Sequence, residues 1–590
     1  MADNHARSSL SSSDALFLYL ERAGQPVNVA SVSIFEGILT LRRCIEFIES
    51  KLPLIPRYRQ RVVAPVYNID LPAWEYDPEF DLRNHVREVT LEHGTEAEFK
   101  AVAGRVLSTN MVRNRPLWDL TLVHGLADDP TPIGAKSASA RVPGNRTGAI
   151  LRMHHCLVDG IAGVELLGKL LDPAPNPPAL PEQAPAPVPS VPAAGEGSLL
   201  SGLITSYMSG LKRILAAESE VLAMAKQVVA GPGKQAEPNE AGPTSSAQQA
   251  QSPRPSGTLP ATGREAIPIV NELQRLLPEL ATPDRLPFNV VCQGPQQFNY
   301  AEIPLPEIKA VKNACEATVN DVVLAMVTST VRRYAELHKV SLAGRTLRIV
   351  VPVNIRPQGE AGEFGNRITF LPVDLPLDVA EPRQMVAAVQ AAVARARSAH
   401  LPELVGLVGT LLGAIPTAFQ ALIGPLFSQL PLSLCNLICT NVPGPMVSLY
   451  FAGHRLLSCY PYVPIGGEMG MNCAVLTYDD VAYFGFTGDA KAVPDLHRLN
   501  KLLKASFAEL RKACDVRPQA RRNSRPPRSR PARSRTSRSK TRAQANPGSA
   551  TPGGHEGTTV KKVVTPAEAN EEAKPAATVA KTAAVAGAAD

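Results

Sequence analysis

The stretch Gly148-Ala149-Ile150-Leu151-Arg152-Met153-His154-His155-Cys156-Leu157-Val158-Asp159-Gly160 decides how this chain is read. The apolar run from Ala149 to Met153 predicts a short buried strand. Two histidines stand where that strand should end, and an Asp-Gly turn signal follows them. Residues 161–171 then carry apolar side chains at helical spacing. A strand, a polar turn and a helix in succession expose reactive side chains on a rigid support. Histidine titrates near neutral pH and suits general-base work. Successive strand residues point to opposite faces. His154 and His155 are therefore expected to do different jobs, one turned into the fold and one into a cleft. Asp159 is placed to orient the loop, and Gly160 allows a close turn. The competing reading is a satisfied core histidine beside an ordinary turn. The complete HHxxxDG pattern at a strand end favours chemistry.

Outward from this stretch, the composition sets bounds. A chain of 590 residues is too long for one core. Its 54 prolines are unevenly spread, and Pro-rich tracts around residues 172–197 and 231–263 mark a linker. Residues 199–229 between them have helical periodicity. The 9 cysteines form no CxxC pair, which excludes zinc-type clusters and predicts a reduced, cytoplasmic protein. The first residues lack the apolar core of a signal peptide. Net charge is +7, but residues 517–542 carry ten arginines and one lysine with no acid, so the rest of the chain is net negative. That basic tract and the Ala/Thr/Lys/Glu tail after it are expected to be disordered. The tract has no interleaved aromatics, so base recognition is not indicated and nucleic acid is not an expected partner. A solvated tail, or loose attachment to an anionic membrane, is the more economical reading.

Four domains follow: an N-terminal half (1–172), the linker insert (173–285), a C-terminal half (286–515) and the tail (516–590). In the first half, Ser11 to Asp14 cap a helix, residues 27–35 alternate as a strand, and Leu41–Lys51 is a helix. The run Pro56-Arg57-Tyr58-Arg59-Gln60-Arg61 reads as a solvated basic turn, with contact to the phosphates of a cofactor as the alternative. His85 has no spaced partner and is given a structural role. Pro116-Leu117-Trp118 before a strand reads as a packed corner. In the second half, Thr318 to Ala325 cap and open a helix. Its Asn320-Asp321 pair needs partners, since buried polar groups are costly unpaired. Capping, with Asp321 paired to a core arginine, is one explanation, and a site-lining Asn320 is the other. Residues 404–453 contain no charged residue, and 404–427 is long enough to span a bilayer. Its proline, glutamine and glycines favour buried or interfacial helices instead. Strands are expected at 434–440, ending in an Asn441 to Pro445 turn, and at 470–477 and 481–487, joined at Tyr478-Asp479-Asp480. A helix over 493–512 closes the folded part.

HHxxxDG, Pro116-Leu117-Trp118, Asn320 to Ala325 (NDVVLA) and Asn441 to Pro445 (NVPGP), in this order, resemble the bacterial wax ester synthase/acyl-CoA:diacylglycerol acyltransferase family. HHxxxDG alone marks its superfamily, the CoA-dependent acyltransferases. The resemblance covers residues 11–512 apart from the insert. It departs from the family at Asn354, where serine is usual, and at Asp480, where glycine is common.

The resemblance implies an α/β fold of mixed sheets, built as two chloramphenicol-acetyltransferase-like halves with the active-site channel between them. It implies acyl transfer from acyl-CoA, a co-substrate rather than a cofactor, to the hydroxyl of diacylglycerol or a long-chain alcohol. His155 would be the general base, His154 its support, Asp159 the loop-orienting residue, Gly160 the turn and Asn320 a substrate contact. No cofactor or metal is called for, and Cys156 is not a nucleophile because its side chain would point away from His155. A peripheral place on a membrane or lipid body is expected. Three other readings stay open: a condensation-type acyltransferase, which shares HHxxxDG, a catalytically inactive lipid-body coat, and a nucleic-acid-binding protein acting through the tail, which the acidic remainder disfavours.

Overall fold

The computed structural model describes residues 7–65, 70–127, 145–158, 160–177, 283–354, 368–399 and 435–518. Asp159, the linker with its helical segment, residues 355–367, the charge-free stretch 404–427 and the tail beyond 518 lie outside the described residues. Among the described residues, no helix is long and apolar enough to cross a membrane.

The N-terminal part runs β1 (Arg7–Ser9), α1 (Ser12–Leu20), β2 (Asn28–Glu36), α2 (Leu41–Lys51), β3 (Gln60–Val63), β4 (Ala73–Tyr76), β5 (Val86–Thr90), α3 (Glu96–Leu107), β6 (Trp118–Leu126), β7 (Arg146–His154) and α4 (Gly160–Leu170). The C-terminal part adds β8 (Gln296–Pro304), β9 (Thr346–Asn354), β10 (Ile368–Pro376), β11 (Leu437–Pro443), β12 (Tyr450–Phe451), β13 (His454–Tyr462), β14 (Met471–Tyr478) and β15 (Val481–Asp489). Among the described residues, four helices accompany these strands, Leu305–Ala314, Val319–Leu337, Pro382–Ser398 and Leu499–Ala513. Two six-stranded mixed sheets result, ordered β12-β13-β2-β7-β6-β5 and β10-β9-β11-β14-β15-β8, beside a small sheet β1-β4-β3.

The strand expected at Ala149 to Met153 is the middle of β7, which is buried along both faces between β2 and β6. Alternation sorts its side chains. Ala149 and Leu151 face an apolar cavity that Ile48 of α2 and Leu167 of α4 also line. Gly148 and Arg152 face α3. A Cβ on Gly148 would fall 2.4 Å from the Phe99 ring, so the helix sits at glycine distance from the strand. On its other side α3 meets β8, where a Cβ on Gly104 would lie 3.0 Å from the Gln296 carbonyl. One helix thus lies between the two sheets.

β13 belongs by sequence to the block 286–515, yet it pairs antiparallel with β2 in the N-terminal sheet. Its tyrosine-rich neighbourhood ties it back to the C-terminal sheet. Tyr478 and Tyr483 donate to the carbonyls of Leu456 and Leu457 at 3.0 and 3.1 Å, and Tyr460 stacks on Tyr300. Gly485 is required at the crossing, because a Cβ there would fall 1.8 Å from the Pro461 carbonyl oxygen.

Several local expectations change. Asn441 to Pro443 continue strand β11, parallel to β14, instead of forming a turn. The last helix starts at Leu499, not at residue 493. Upstream of it the Asp489 carboxylate collects the backbone N–H groups of Gln293, Gly294, Lys491 and Ala492, which fixes a turn there. The β14–β15 hairpin turns at Asp479 and Asp480, with φ of 45° and 61°. Both residues are thus left-handed, as a two-residue hairpin turn demands. The basic run is not freely solvated. Arg57 and Arg59 lie over the rings of Trp74 and Tyr76, and Arg61 is 3.9 Å from Asp77.

Candidate active site

The histidine turn is assembled from segments far apart in sequence. The His154 carbonyl accepts from Leu157 N–H at 2.9 Å, which closes a β-turn with His155 and Cys156 at its centre. His154 N–H donates to Leu117 of the Pro-Leu-Trp corner, and His155 N–H donates to the Val27 carbonyl. The corner itself is packed around Trp118. Its ring stacks on Tyr58 and His85, and its Nε1 donates to the Tyr58 carbonyl. His85 bonds through Nδ1 to the Trp118 carbonyl at 2.8 Å, a structural position.

The two histidines occupy different surroundings. His154 is 0% exposed, and burial, with Arg113 and His155 nearby, pushes its pKa well below the usual value. It is therefore neutral. Its Nδ1 accepts from Cys156 N–H at 3.1 Å, so the ring proton sits on Nε2. That atom points at Glu21 Oε1, 3.6 Å away. A neutral ring makes this a charge–dipole contact, not an ion pair. His155 is half-buried, and its ring stacks on Phe17 of α1 with centroids 4.0 Å apart and planes 20° apart. Helix α1 is set by its cap, the Ser11 hydroxyl accepting from Asp14 N–H at 3.1 Å. Cys156 is 3% exposed, and burial drives its thiol pKa well up, which removes it as a nucleophile at neutral pH.

Arg152, two residues before His154, is 2% exposed and saturated. It meets Asp119 through two bonds of 2.8 and 2.5 Å, Thr109 through its carbonyl and hydroxyl, and the Val106 carbonyl. It joins β7, β6 and the end of α3, a structural task.

From the C-terminal part, Thr318 and Asp321 form a capping box on the helix Val319–Leu337. The Asp321 carboxylate takes the Thr318 N–H at 2.9 Å, which accounts for it by capping. Asn320 is half-buried, and its Oδ1 accepts from Asn441 Nδ2 at 3.4 Å. Two of the motifs singled out in the sequence therefore touch. Helix α4, which begins at Gly160 straight after the histidine loop, packs on β11, the strand that carries Asn441. Among the described residues, no group of three or more His, Cys, Asp or Glu is arranged to hold a metal ion.

Sequence reasoning missed Glu21, Arg113 and Phe17. Phe17 and Arg113 lie 138 and 41 positions from His155 and His154 along the chain. No spacing rule connects them, and only the pairing of β2 and β6 with β7 does.

The chain belongs to the wax ester synthase/diacylglycerol acyltransferase family. Residues 10–323 match its catalytic domain and residues 364–511 its C-terminal domain. Among its relatives is a probable diacylglycerol O-acyltransferase of Mycobacterium tuberculosis, 27% identical over 514 residues that cover 85% of this chain and 98% of the relative. A second from the same organism is 24% identical over 506 residues, covering 85% and 95%. The solved wax ester synthase/diacylglycerol acyltransferase from Marinobacter aquaeolei superposes with a TM-score of 0.53 at 21% identity, over 86% of this chain and 100% of that one. The first condensation domain of the calcium-dependent antibiotic synthetase gives 0.51 at 14% identity, over 87% and 97%. At these identities the two structures establish a shared fold.

Proposed function

We propose that this protein is an acyl-CoA-dependent O-acyltransferase that esterifies the hydroxyl of diacylglycerol, or of a long-chain alcohol, with His155 as general base. Family membership supports the reaction class. The observation that carries the residue assignment is the contrast within the pair: His154 is wholly buried and neutral, while His155 is half-buried on the turn. In this reading His155 removes the acceptor's hydroxyl proton as the oxygen attacks the thioester carbon of acyl-CoA. The tetrahedral intermediate collapses, the carbon–sulfur bond breaks, and the imidazolium returns its proton to the leaving CoA thiolate. Ester and CoA are the products, and no covalent enzyme intermediate forms.

The site in this reading lies in a channel between the two halves, with acyl-CoA entering from one side and the lipid acceptor from the other. The packing of α4 on β11 supports that placement, with Asn320, which meets Asn441 of β11, lining the acceptor or acyl path. Asp159 and Gly160 shape the loop that follows His155. Work on lipid substrates at a membrane or lipid-body surface fits the family, and no nucleic-acid partner is invoked. The test is to incubate the purified protein with palmitoyl-CoA and either dioleoylglycerol or hexadecanol, and to identify the lipid by mass spectrometry. Triacylglycerol or wax ester supports the proposal and reveals the acceptor. Absence of both esters, with the protein folded, overturns it.

A further inference from the structure

We propose that Glu21 is a positioning residue for the histidine turn, acting through His154 and held in place by Arg113. This inference rests on His155 as the reacting base and adds what holds it there. Glu21 follows directly on α1, and its side chain is 4% exposed. Three segments meet at its carboxylate. Oε1 accepts the Val27 N–H at 3.3 Å and lies 3.6 Å from His154 Nε2. Oε2 accepts from Arg113 Nη2 at 2.5 Å and from Nε at 3.1 Å.

A neutral imidazole carries one proton, and its location decides what the ring can do. The Cys156 N–H needs Nδ1 as an acceptor. That requires the proton on Nε2, which makes no hydrogen bond of its own. At 3.6 Å the Glu21 carboxylate is beyond hydrogen-bond length, yet its field favours the protonated Nε2. The opposite tautomer would aim a lone pair at the carboxylate and set two N–H groups against each other at Cys156. Cys156 N–H is the amide that follows His155, while His155 N–H is held by the Val27 carbonyl. Glu21 thus grips both flanks of His155, one through His154 and the other through Val27. Arg113 completes the device. Besides pairing with Glu21 it donates to the Leu18 carbonyl at 3.1 Å, which fixes the end of α1 next to Phe17. The Arg113 guanidinium thus sets a counter-charge against the Glu21 carboxylate.

The experiment is steady-state kinetics on the full chain with palmitoyl-CoA and the accepted hydroxyl substrate. It compares Glu21→Ala, Glu21→Gln, Arg113→Met, His154→Ala, the Glu21→Ala/His154→Ala double variant and His155→Ala. A small misplacement of a reacting group costs on the order of a hundredfold. Glu21→Ala should therefore lower kcat by about that factor and leave the KM for acyl-CoA within about twofold. Glu21→Gln keeps an acceptor oxygen for Val27 and His154, and should recover kcat to within about tenfold of wild type. Because Glu21 acts in part through His154, the Glu21→Ala/His154→Ala double variant should lose less than the product of the two single losses. Wild-type kcat in Glu21→Ala, or fully multiplicative losses in the double variant, would overturn the inference. If Glu21→Ala does not fold, Arg113→Met and Glu21→Gln carry the test, and wild-type kcat in Arg113→Met overturns it. An active His155→Ala, by contrast, would remove the general-base reading itself.

Discussion

The ring of His155 lies against the ring of Phe17, with centroids 4.0 Å apart and planes 20° apart. One face of the proposed base is thereby covered by α1, and rotation about its side-chain bonds is restricted. Such aromatic pairs contribute about 0.5–1.5 kcal/mol beyond area burial. Phe17→Ala should reduce kcat/KM by roughly two- to tenfold, and Phe17→Tyr should leave it close to wild type. The acyl-transfer rate of the two variants checks this.

Asp119→Ala should destabilise the fold severely. Arg152 is 2% exposed and depends on that carboxylate for its counter-charge. Removing one partner of a buried pair costs about 3–5 kcal/mol, because the other charge is left uncompensated. Asp119→Asn keeps one acceptor oxygen for the guanidinium and should cost less. Thermal denaturation of the two variants measures the order. Equal midpoints for Asp119→Ala and wild type would show that Arg152 is not held in this way.

Stability should fall as pH drops below the ordinary histidine range. His154 and His85 both have pKa values lowered by burial. His154 faces Glu21, Arg113 and His155, while His85 faces Arg115, Asp119 and Asp77 and bonds to the Trp118 carbonyl. In the unfolded chain each titrates near about 6.5. Below that value the unfolded state binds protons that the native state does not, so the native state loses ground. Each histidine contributes a slope of up to about 1.4 kcal/mol per pH unit. The contribution is fully present above about pH 7 and decays on acidification. Melting wild type and His85→Gln between pH 7.5 and 5 checks the sign, since the variant should lose less over that interval. An identical pH dependence in the two proteins would contradict it.

Asn320 and Asn441 should behave as a pair. Their side chains meet at 3.4 Å, each is half-buried, and they come from the two C-terminal motifs. Asn320→Ala and Asn441→Ala should each lower kcat/KM by about the value of one hydrogen bond, roughly fivefold to tenfold, and the double variant should lose little more than either. Independent losses would separate the two residues.

What the sequence showed, and what it hid, follows the range of the interactions. β7, the caps at Ser11 and Thr318, and the packed Trp118 corner are written in short windows: alternation, a hydroxyl three residues before its N–H, a proline before a tryptophan. Those windows place the histidines on a turn after a strand. The crossing of β13 into the N-terminal sheet has no local signature, because its register is set by β2, more than four hundred positions earlier. The same holds for Glu21 and Arg113. Each reads alone as a charged residue beside a helix or in a loop, and their meeting with His154 exists only once β2, β6 and β7 have paired. The basic run at Arg57 to Arg61 was misread for a related reason. Its aromatic partners Trp74 and Tyr76 lie on β4, a strand that the sequence expectation lacked.

The most direct test of the account is the rate of CoA release from palmitoyl-CoA by His155→Ala, measured beside wild type with the accepted hydroxyl substrate and with thermal midpoints recorded for both. Loss of general-base catalysis should lower the rate by about 10²- to 10⁴-fold while the midpoint stays close to that of wild type. A folded His155→Ala protein that releases CoA at the wild-type rate would contradict the assignment of His155 as the base.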